Sequence, residues 1–302
     1  MLEQETPTQG LSQQDIDKRV FALYDEYCHG YIDRREFMRR AGSISVAGVS
    51  ALAMAQAVMP QYARAQTISF TDKRIKATYV EYPSPGGTSG KMRGYLVQPT
   101  TPGPYPAVVV IHENRGLNPY IEDVVRRFAA ADFLAFGPDA LTPLGGYPGN
   151  DDAGREMQAR LDRDAIIEDF VAAAEWLMVH PQSTGRVGAV GFCFGGGVVN
   201  TLAVRLPNLG AGVPFYGGQP PAEDVPRIQA PLMIQYAEID ERVNAGWPAY
   251  ERALRANGKH YVMHMYAGTN HGFHNDTTPR YDERAAKLAQ ERTIAFFNQH
   301  LR

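Results

Sequence analysis

The 302-residue chain contains little cysteine, with only Cys28 and Cys193 and no CxxC pair. Two cysteines cannot form a disulfide framework, and the usual zinc-ligand spacing is missing. The chain also lacks an excess of one charge, because 30 Lys and Arg stand against 33 Asp and Glu, a net charge of -3. This balance offers no broad attraction to nucleic acid or to an anionic membrane, and neither is expected as a partner.

Beyond about residue 73, strand-like and helix-like segments alternate. The apolar run 106–111 is typical of a strand covered on both faces. Two earlier strands, 74–82 and 91–98, are joined by a Pro/Gly/Ser turn and are predicted to pair antiparallel. Further strands are predicted at 133–137, 186–191, 211–215, 231–236 and 261–266, and helices at 120–131, 151–179 with a break near 162–164, 194–205, 247–257 and 281–300. This alternation predicts an α/β fold, a mostly parallel sheet with helices on both faces, in one catalytic domain spanning 66–302.

The segment between strand 186–191 and helix 194–205 has the form G-x-nucleophile-x-G, and reads Gly191-Phe192-Cys193-Phe194-Gly195. Glycines are needed there because a sharp strand-to-helix turn leaves no room for side chains. The helix N-terminus behind Cys193 would stabilise a thiolate. The alternative is a tight turn with a buried cysteine that serves only packing.

An acid and a base follow the candidate nucleophile in the chain order of α/β-hydrolases. Asp240 comes after strand 231–236, and His271 lies in a Gly-flanked loop after strand 261–266. All three residues are therefore expected at the carboxyl edge of one parallel sheet. His271 would take the proton of Cys193, and Asp240 would orient the imidazole. Other residues nearby in the sequence are alternatives for these roles: Glu238 or Glu241 as the acid, and His274 as the base.

A second polar segment, His112 to Asn118, directly follows strand 106–111. In α/β-hydrolases this loop supplies one backbone N–H of the oxyanion hole, and the residue after the nucleophile, here Phe194, supplies the other. The alternative is that Glu113 and Arg115 are paired surface charges.

Together these motifs resemble the dienelactone hydrolase family over about residues 90–300. The resemblance implies an α/β-hydrolase fold, no cofactor, and opening of a small ester or lactone through a cysteine acyl-enzyme. It implies that Glu113 contacts the resting Cys193 and helps to generate its thiolate, and that Asn114 and Phe194 provide backbone donors. No phosphate loop or dinucleotide fingerprint points to a nucleotide cofactor either.

The chain departs from the family at two arginines that bind a substrate carboxylate. Their positions hold Ala140 to Leu144 and Asn275, which leaves Arg115 or Arg155 as candidate replacements. A general carboxylesterase acting on a neutral ester is therefore an alternative, as is a non-catalytic binding protein on the same scaffold. A metal-binding protein is a further alternative, with ligands from His271, His274, Asp276, His112 and Glu113, although the spacing fits no closed zinc site.

Residues 1–65 carry the features of an export signal. Arg34-Arg35 precedes a small-residue apolar run, 41–59, and Ala63-Arg64-Ala65 matches a signal-peptidase site. The paired arginines resemble a twin-arginine signal, which makes that export machinery an expected partner and the periplasm or the exterior the expected location. An uncleaved anchor, a structural helix and a cytoplasmic location are the alternatives; no stable membrane anchor is expected. Cleavage after Ala65 would leave Cys193 as the last thiol.

The stretch before the arginines, 12–30, is amphipathic. Its apolar residues Val20, Leu23, Tyr24 and Tyr27 recur at helical spacing. This pattern predicts a helix but indicates no function.

Overall fold

The computed structural model describes residues 17–28, 30–44, 62 and 66–302. Its single eight-stranded sheet has the order β1-β2-β4-β3-β5-β6-β7-β8. The strands are β1 (Ile75–Ser84), β2 (Gly90–Pro99), β3 (Tyr105–Ile111), β4 (Leu134–Pro138), β5 (Ser183–Phe192), β6 (Ala211–Phe215), β7 (Leu232–Ile239) and β8 (Tyr261–Asn270). The helices are α1 (Lys18–Cys28), α2 (Arg34–Ser43), α3 (Pro119–Ala129), α4 (Asp151–Gln158), α5 (Arg163–Met178), α6 (Phe194–Arg205), α7 (Glu241–Asn244), α8 (Trp247–Ala256) and α9 (Glu283–Leu301).

The sheet is antiparallel at one end and parallel through the rest. β1 pairs antiparallel with β2, and β2 with β4, while every pairing from β4 to β8 is parallel. The predicted antiparallel start and the mostly parallel sheet are therefore confirmed. The carboxyl ends of β3, β5, β7 and β8 consequently share one rim, and every candidate catalytic residue follows one of these strands.

Both faces of the sheet are covered by helices. Successive side chains of a strand point to opposite faces. On β3, accordingly, Val109 packs in one apolar cluster with Phe170 of α5, and Val108 packs in the other with Phe128 of α3. All four are at least 99% buried, so the continuous apolar run of β3 is explained by burial on both sides.

The predicted long helix 151–179 is broken as expected, into α4 and α5. Asp162 ends the break, because its Oδ1 accepts a hydrogen bond of 2.8 Å from the backbone N–H of Ala165 and caps α5. The predicted loop 138–150 contains a short 3₁₀ helix, Thr142–Leu144.

The N-terminal hairpin, described at residues 17–28 and 30–44, contains the helices α1 and α2. Its own apolar cluster contains Val20, Phe21, Tyr24, Tyr27, Phe37 and Ala41. Asp33 caps α2 by accepting a 2.7 Å hydrogen bond from the N–H of Glu36. The segment with the amphipathic pattern therefore forms a helix, as predicted, over residues 18–28.

The expected signal lies mostly outside the described residues. The apolar run 41–59 is described only to Ile44, and Ala63-Arg64-Ala65 is not described. Among the helices that the structure does describe, none has the length and apolar character needed to cross a membrane.

Candidate active site

Cys193 occupies a strained turn between β5 and α6. Its φ of 56° and ψ of -113° are unusual for a residue with a side chain. The neighbouring glycines allow this turn, because a Cβ on Gly191 would lie 2.2 Å from the carbonyl oxygen of Gly195. A Cβ on Gly195 would lie 2.3 Å from the carbonyl oxygen of Ile111. The turn therefore requires both glycines and holds Cys193 at the end of β5.

His271 and Asp240 meet at the ends of the adjacent strands β8 and β7. Asp240 Oδ2 lies 2.6 Å from His271 Nδ1, and both side chains are buried. Cys193 lies close enough to His271 for its charge to affect the pKa of the imidazole. Burial disfavours the imidazolium, but the charges of Asp240 and Cys193 outweigh burial and raise the pKa of His271 well above its usual value. The structure thus brings together all three residues of the predicted set.

The rival residues have other partners. His274 bonds to the Tyr120 hydroxyl (2.8 Å) and to Gln290 (3.2 Å), and burial lowers its pKa to about 3. Glu238 accepts a 2.7 Å hydrogen bond from the backbone N–H of Gly268. Within the described ranges, no three His, Cys, Asp or Glu side chains converge on a point that could hold a metal ion.

Glu113 is buried beneath the site and has a partner that sequence reasoning missed. Asn275 Nδ2 donates a 3.1 Å hydrogen bond to Glu113 Oε2. Burial raises the pKa of Glu113; the Cys193 charge adds to this rise, and the charges of Arg115 and Arg280 oppose it. Asn275 was noted in the sequence only as the replacement of an arginine, since nothing local signals a contact with Glu113.

The two expected oxyanion donors, Asn114 and Phe194, line the same cleft as Cys193. This cleft has a volume of about 1010 Å³. Phe194 is the first residue of α6, and the N–H groups of a first helical turn have no partner within their helix. The neighbouring His112 is buried, and its Nε2 accepts a 3.2 Å hydrogen bond from the backbone N–H of Ala140.

Tyr216 is a further residue of the site that the sequence did not reveal. It follows β6 directly, is fully buried, and has a φ of 35°. Its ring centroid lies 4.9 Å from that of His271, and it lines the cleft. The one indication in the sequence is the position of Tyr216, directly after a strand whose carboxyl end lies on the same rim.

The two arginines that the sequence offered as replacements are engaged with other groups. Arg115 and Asp151 form a buried ion pair at 2.8 Å. Arg155 lies 4.4 Å from the ring centroid of Tyr27. Arg280, which the sequence analysis did not single out, packs against Gly272, beside His271.

Comparisons with known proteins match both parts of the chain. The family model described as the dienelactone hydrolase family covers residues 92–301, and one described as YqhI-like covers residues 8–47. Protein usf of Aquifex pyrophilus is 36% identical over 225 residues, which is 70% of this chain and 94% of that protein. The fragment YghX of Escherichia coli strain K12 is 56% identical over 115 residues, 38% of this chain and 97% of the fragment. A solved dienelactone hydrolase-like promiscuous phosphotriesterase from metagenomic libraries is 25% identical with a TM-score of 0.65, covering 76% of this chain and 100% of the other.

Proposed function

The chain belongs to the dienelactone hydrolase family and is a hydrolase of ester or lactone bonds, and on that premise we propose that Cys193, His271 and Asp240 carry out the reaction through an acyl-enzyme. The single observation that supports this most strongly is the 2.6 Å contact of Asp240 Oδ2 with His271 Nδ1, beside a Cys193 close enough for its charge to act on the imidazole. Its members follow three different strands of one rim, as a nucleophile, a base and an orienting acid would.

In the proposed mechanism His271 removes the thiol proton and the Cys193 thiolate attacks the carbonyl carbon. The oxyanion of the tetrahedral intermediate is stabilised by the N–H groups of Asn114 and Phe194. Collapse of the intermediate expels the alkoxide, which takes the proton from His271, and leaves a thioester. A water molecule, deprotonated by His271, then hydrolyses the thioester and regenerates the thiol. With a lactone the alkoxide remains attached to the acyl chain, so the ring opens.

Glu113 has a supporting role in this proposal. Its carboxyl group is buried close enough to Cys193 for the two charges to affect each other. An ionised carboxylate in that place can hold the resting thiol through a hydrogen bond until the substrate binds and His271 takes the proton, so that the thiolate forms only when it is needed.

A neutral carboxylic ester is the second candidate substrate. Asn275, which stands where a carboxylate-binding arginine is expected, uses its side chain on Glu113. Ala140 to Leu144 also offers no cation. These two positions therefore provide no cation for a substrate carboxylate, which makes a neutral ester a candidate beside the carboxylated enol-lactone.

The test is hydrolysis of p-nitrophenyl acetate beside a carboxylated enol-lactone, before and after treatment with iodoacetamide. A Cys28→Ser background makes Cys193 the one remaining thiol. We expect turnover that alkylation and Cys193→Ala both abolish, and the preferred substrate separates esterase from lactonase. Turnover that survives both treatments would refute the cysteine mechanism, and no turnover of either substrate would favour a binding protein.

We also propose that the chain is exported by the twin-arginine route to the periplasm or the exterior. The support is in the sequence: Arg34-Arg35, the apolar run 41–59 and Ala63-Arg64-Ala65.

A further inference from the structure

The N-terminal hairpin is fixed to the loops that carry the proposed catalytic residues. The Tyr24 hydroxyl accepts a 3.3 Å hydrogen bond from Arg115 Nη2, and the ring of Tyr24 lies 4.8 Å from the guanidinium carbon of Arg280. Asp25 faces Arg242 at 3.5 Å and Arg280 at 3.9 Å. Arg115 follows Asn114, Arg242 follows Asp240 closely, and Arg280 packs beside His271. The hairpin thus contacts the loops after β3, β7 and β8.

A second group of contacts fixes the hairpin to α4. The Tyr27 hydroxyl bonds to Asp152, which also pairs with Arg34 at 2.9 Å. The guanidinium of Arg155 lies 4.4 Å from the ring centroid of Tyr27. Tyr24 and Tyr27 are 1% and 2% exposed, so the hairpin is joined to the catalytic domain through buried side chains as well as surface charges.

The turn of the hairpin reaches the cleft of the nucleophile. Tyr31, between α1 and α2, lines the cleft that also contains Cys193, Phe194 and Tyr216. Its side chain is nevertheless 69% exposed, unlike the other large aromatic residues of the hairpin. An exposed aromatic ring at the edge of a cleft has apolar area available for a ligand at little entropic cost.

We infer that the N-terminal hairpin forms one wall of the substrate cleft and that Tyr31 is a specificity-determining residue, which binds an apolar substituent of the ester beyond the scissile bond. This inference rests on the proposed function and specifies its substrate class. Phe194 and Ile167 line the same cleft as Tyr31 and add apolar side chains to a lining that also contains charged residues such as Arg163. The hairpin lies outside the region matched by the hydrolase family, residues 92–301, and is matched by a separate family model. The wall is therefore an addition to the shared catalytic scaffold.

The substituent could belong to either side of the ester, so three substrates are compared in the full-length chain. Methyl acetate is the short reference, methyl octanoate extends the acyl side, and octyl acetate extends the alkoxy side. Tyr31→Ala is expected to lower kcat/KM for one long ester by about tenfold, mainly through a higher KM, as the loss of uniform apolar binding does. Turnover of methyl acetate should stay within about twofold of the unaltered enzyme, because the change leaves the catalytic residues in place.

Two matched variants separate a specificity role from a structural one. Tyr31→Phe keeps the apolar ring and should retain the preference for the long ester. Arg39→Ala removes an exposed side chain of α2 that pairs with Glu36 on the same helix, and should change neither ester. Unchanged discrimination between long and short esters in Tyr31→Ala, with methyl acetate still hydrolysed, would overturn the inference alone. Failure of the unaltered enzyme to hydrolyse any of the three esters would overturn the proposed function and this inference with it.

Discussion

Asp240 and His271 are joined by a 2.6 Å contact between Oδ2 and Nδ1, although 31 residues separate them in the chain. They meet because β7 and β8 are parallel neighbours whose carboxyl ends coincide, with Ile239 paired to Asn270. Asp240 is fixed further, since its Oδ1 accepts a 3.3 Å hydrogen bond from the N–H of Val243 at the start of α7. The orientation of the imidazole is therefore set by backbone elements on both strands.

Asp240→Asn should lower kcat by about 10³- to 10⁴-fold with little change in KM. An amide can hold the ring in the wrong tautomer and cannot stabilise the imidazolium. Steady-state kinetics with p-nitrophenyl acetate measures the loss, and circular dichroism checks that the fold is retained. A loss of less than tenfold would show that Asp240 does not orient the base.

His271→Ala should remove most of kcat, whereas His274→Ala should leave the folded fraction active to within a few fold. The reason is that His274 is bonded to Tyr120 and Gln290, while His271 lies close enough to Cys193 for their charges to interact. Activity normalised to folded protein, from circular dichroism, separates the two cases. The reverse ranking would identify His274 as the base.

The stability of the protein should depend on pH through His274. Burial lowers its folded-state pKa from an ordinary 6.5 to about 3, so the unfolded chain binds a proton at a pH where the folded chain does not. Unfolding free energy is consequently lost as pH falls below about 6.5, by about 1.4 kcal/mol per pH unit or about 2 kcal/mol between pH 7.5 and 5.

Urea unfolding at those two pH values checks this, with His274→Gln as the comparison because glutamine keeps a hydrogen-bonding group but does not titrate. The variant should lose about 2 kcal/mol less on acidification than the unaltered chain. Equal losses in both proteins would mean that His274 is not buried in its neutral form.

The sequence was sufficient for the parts of the site that depend on local pattern. The elbow at Cys193 is specified by its own glycines, and the places of Asp240 and His271 follow from strands that end just before them. β–α alternation gives the direction of each strand, and therefore the common rim. Each of these inferences needed only residues close together in the chain.

Contacts between distant segments could not be predicted in the same way. Asn275 and Glu113 are 162 residues apart, and no periodicity marks a partner at that distance. The amphipathic pattern of α1 predicts a buried face but does not show that Tyr24 covers Arg115 and Arg280. A hydrophobic pattern predicts which face of a helix is buried. Which part of the protein packs against that face depends on the whole fold.

Asn275→Leu should move the acid limb of the kcat/KM profile to higher pH by about one unit. The variant removes the N–H donor that stabilises the Glu113 carboxylate, so the pKa of Glu113, already raised by burial, rises further. A hydrogen bond to a charged group is worth roughly 1.5–3 kcal/mol, and about 1.4 kcal/mol corresponds to one pH unit. If Glu113 must be ionised for thiolate formation, activity then begins at higher pH. An unmoved limb with a reduced plateau would assign Asn275 a purely structural role.

Arg34→Lys combined with Arg35→Lys should retain the protein in the cytoplasm of a bacterial host that has the twin-arginine route. Both arginines are exposed although the hairpin is docked, with the Arg34 side chain 61% accessible, so a receptor can bind them on the folded protein. Cell fractionation measures the location, and Arg39→Lys in the same helix is the control that should still be exported. Continued export of the double variant would refute the twin-arginine proposal. The mass of the exported enzyme then shows whether the hairpin is kept after export. If the exported chain begins at Gln66, the wall that contains Tyr31 is present only in the precursor. If the exported chain is full length, the working enzyme retains that wall.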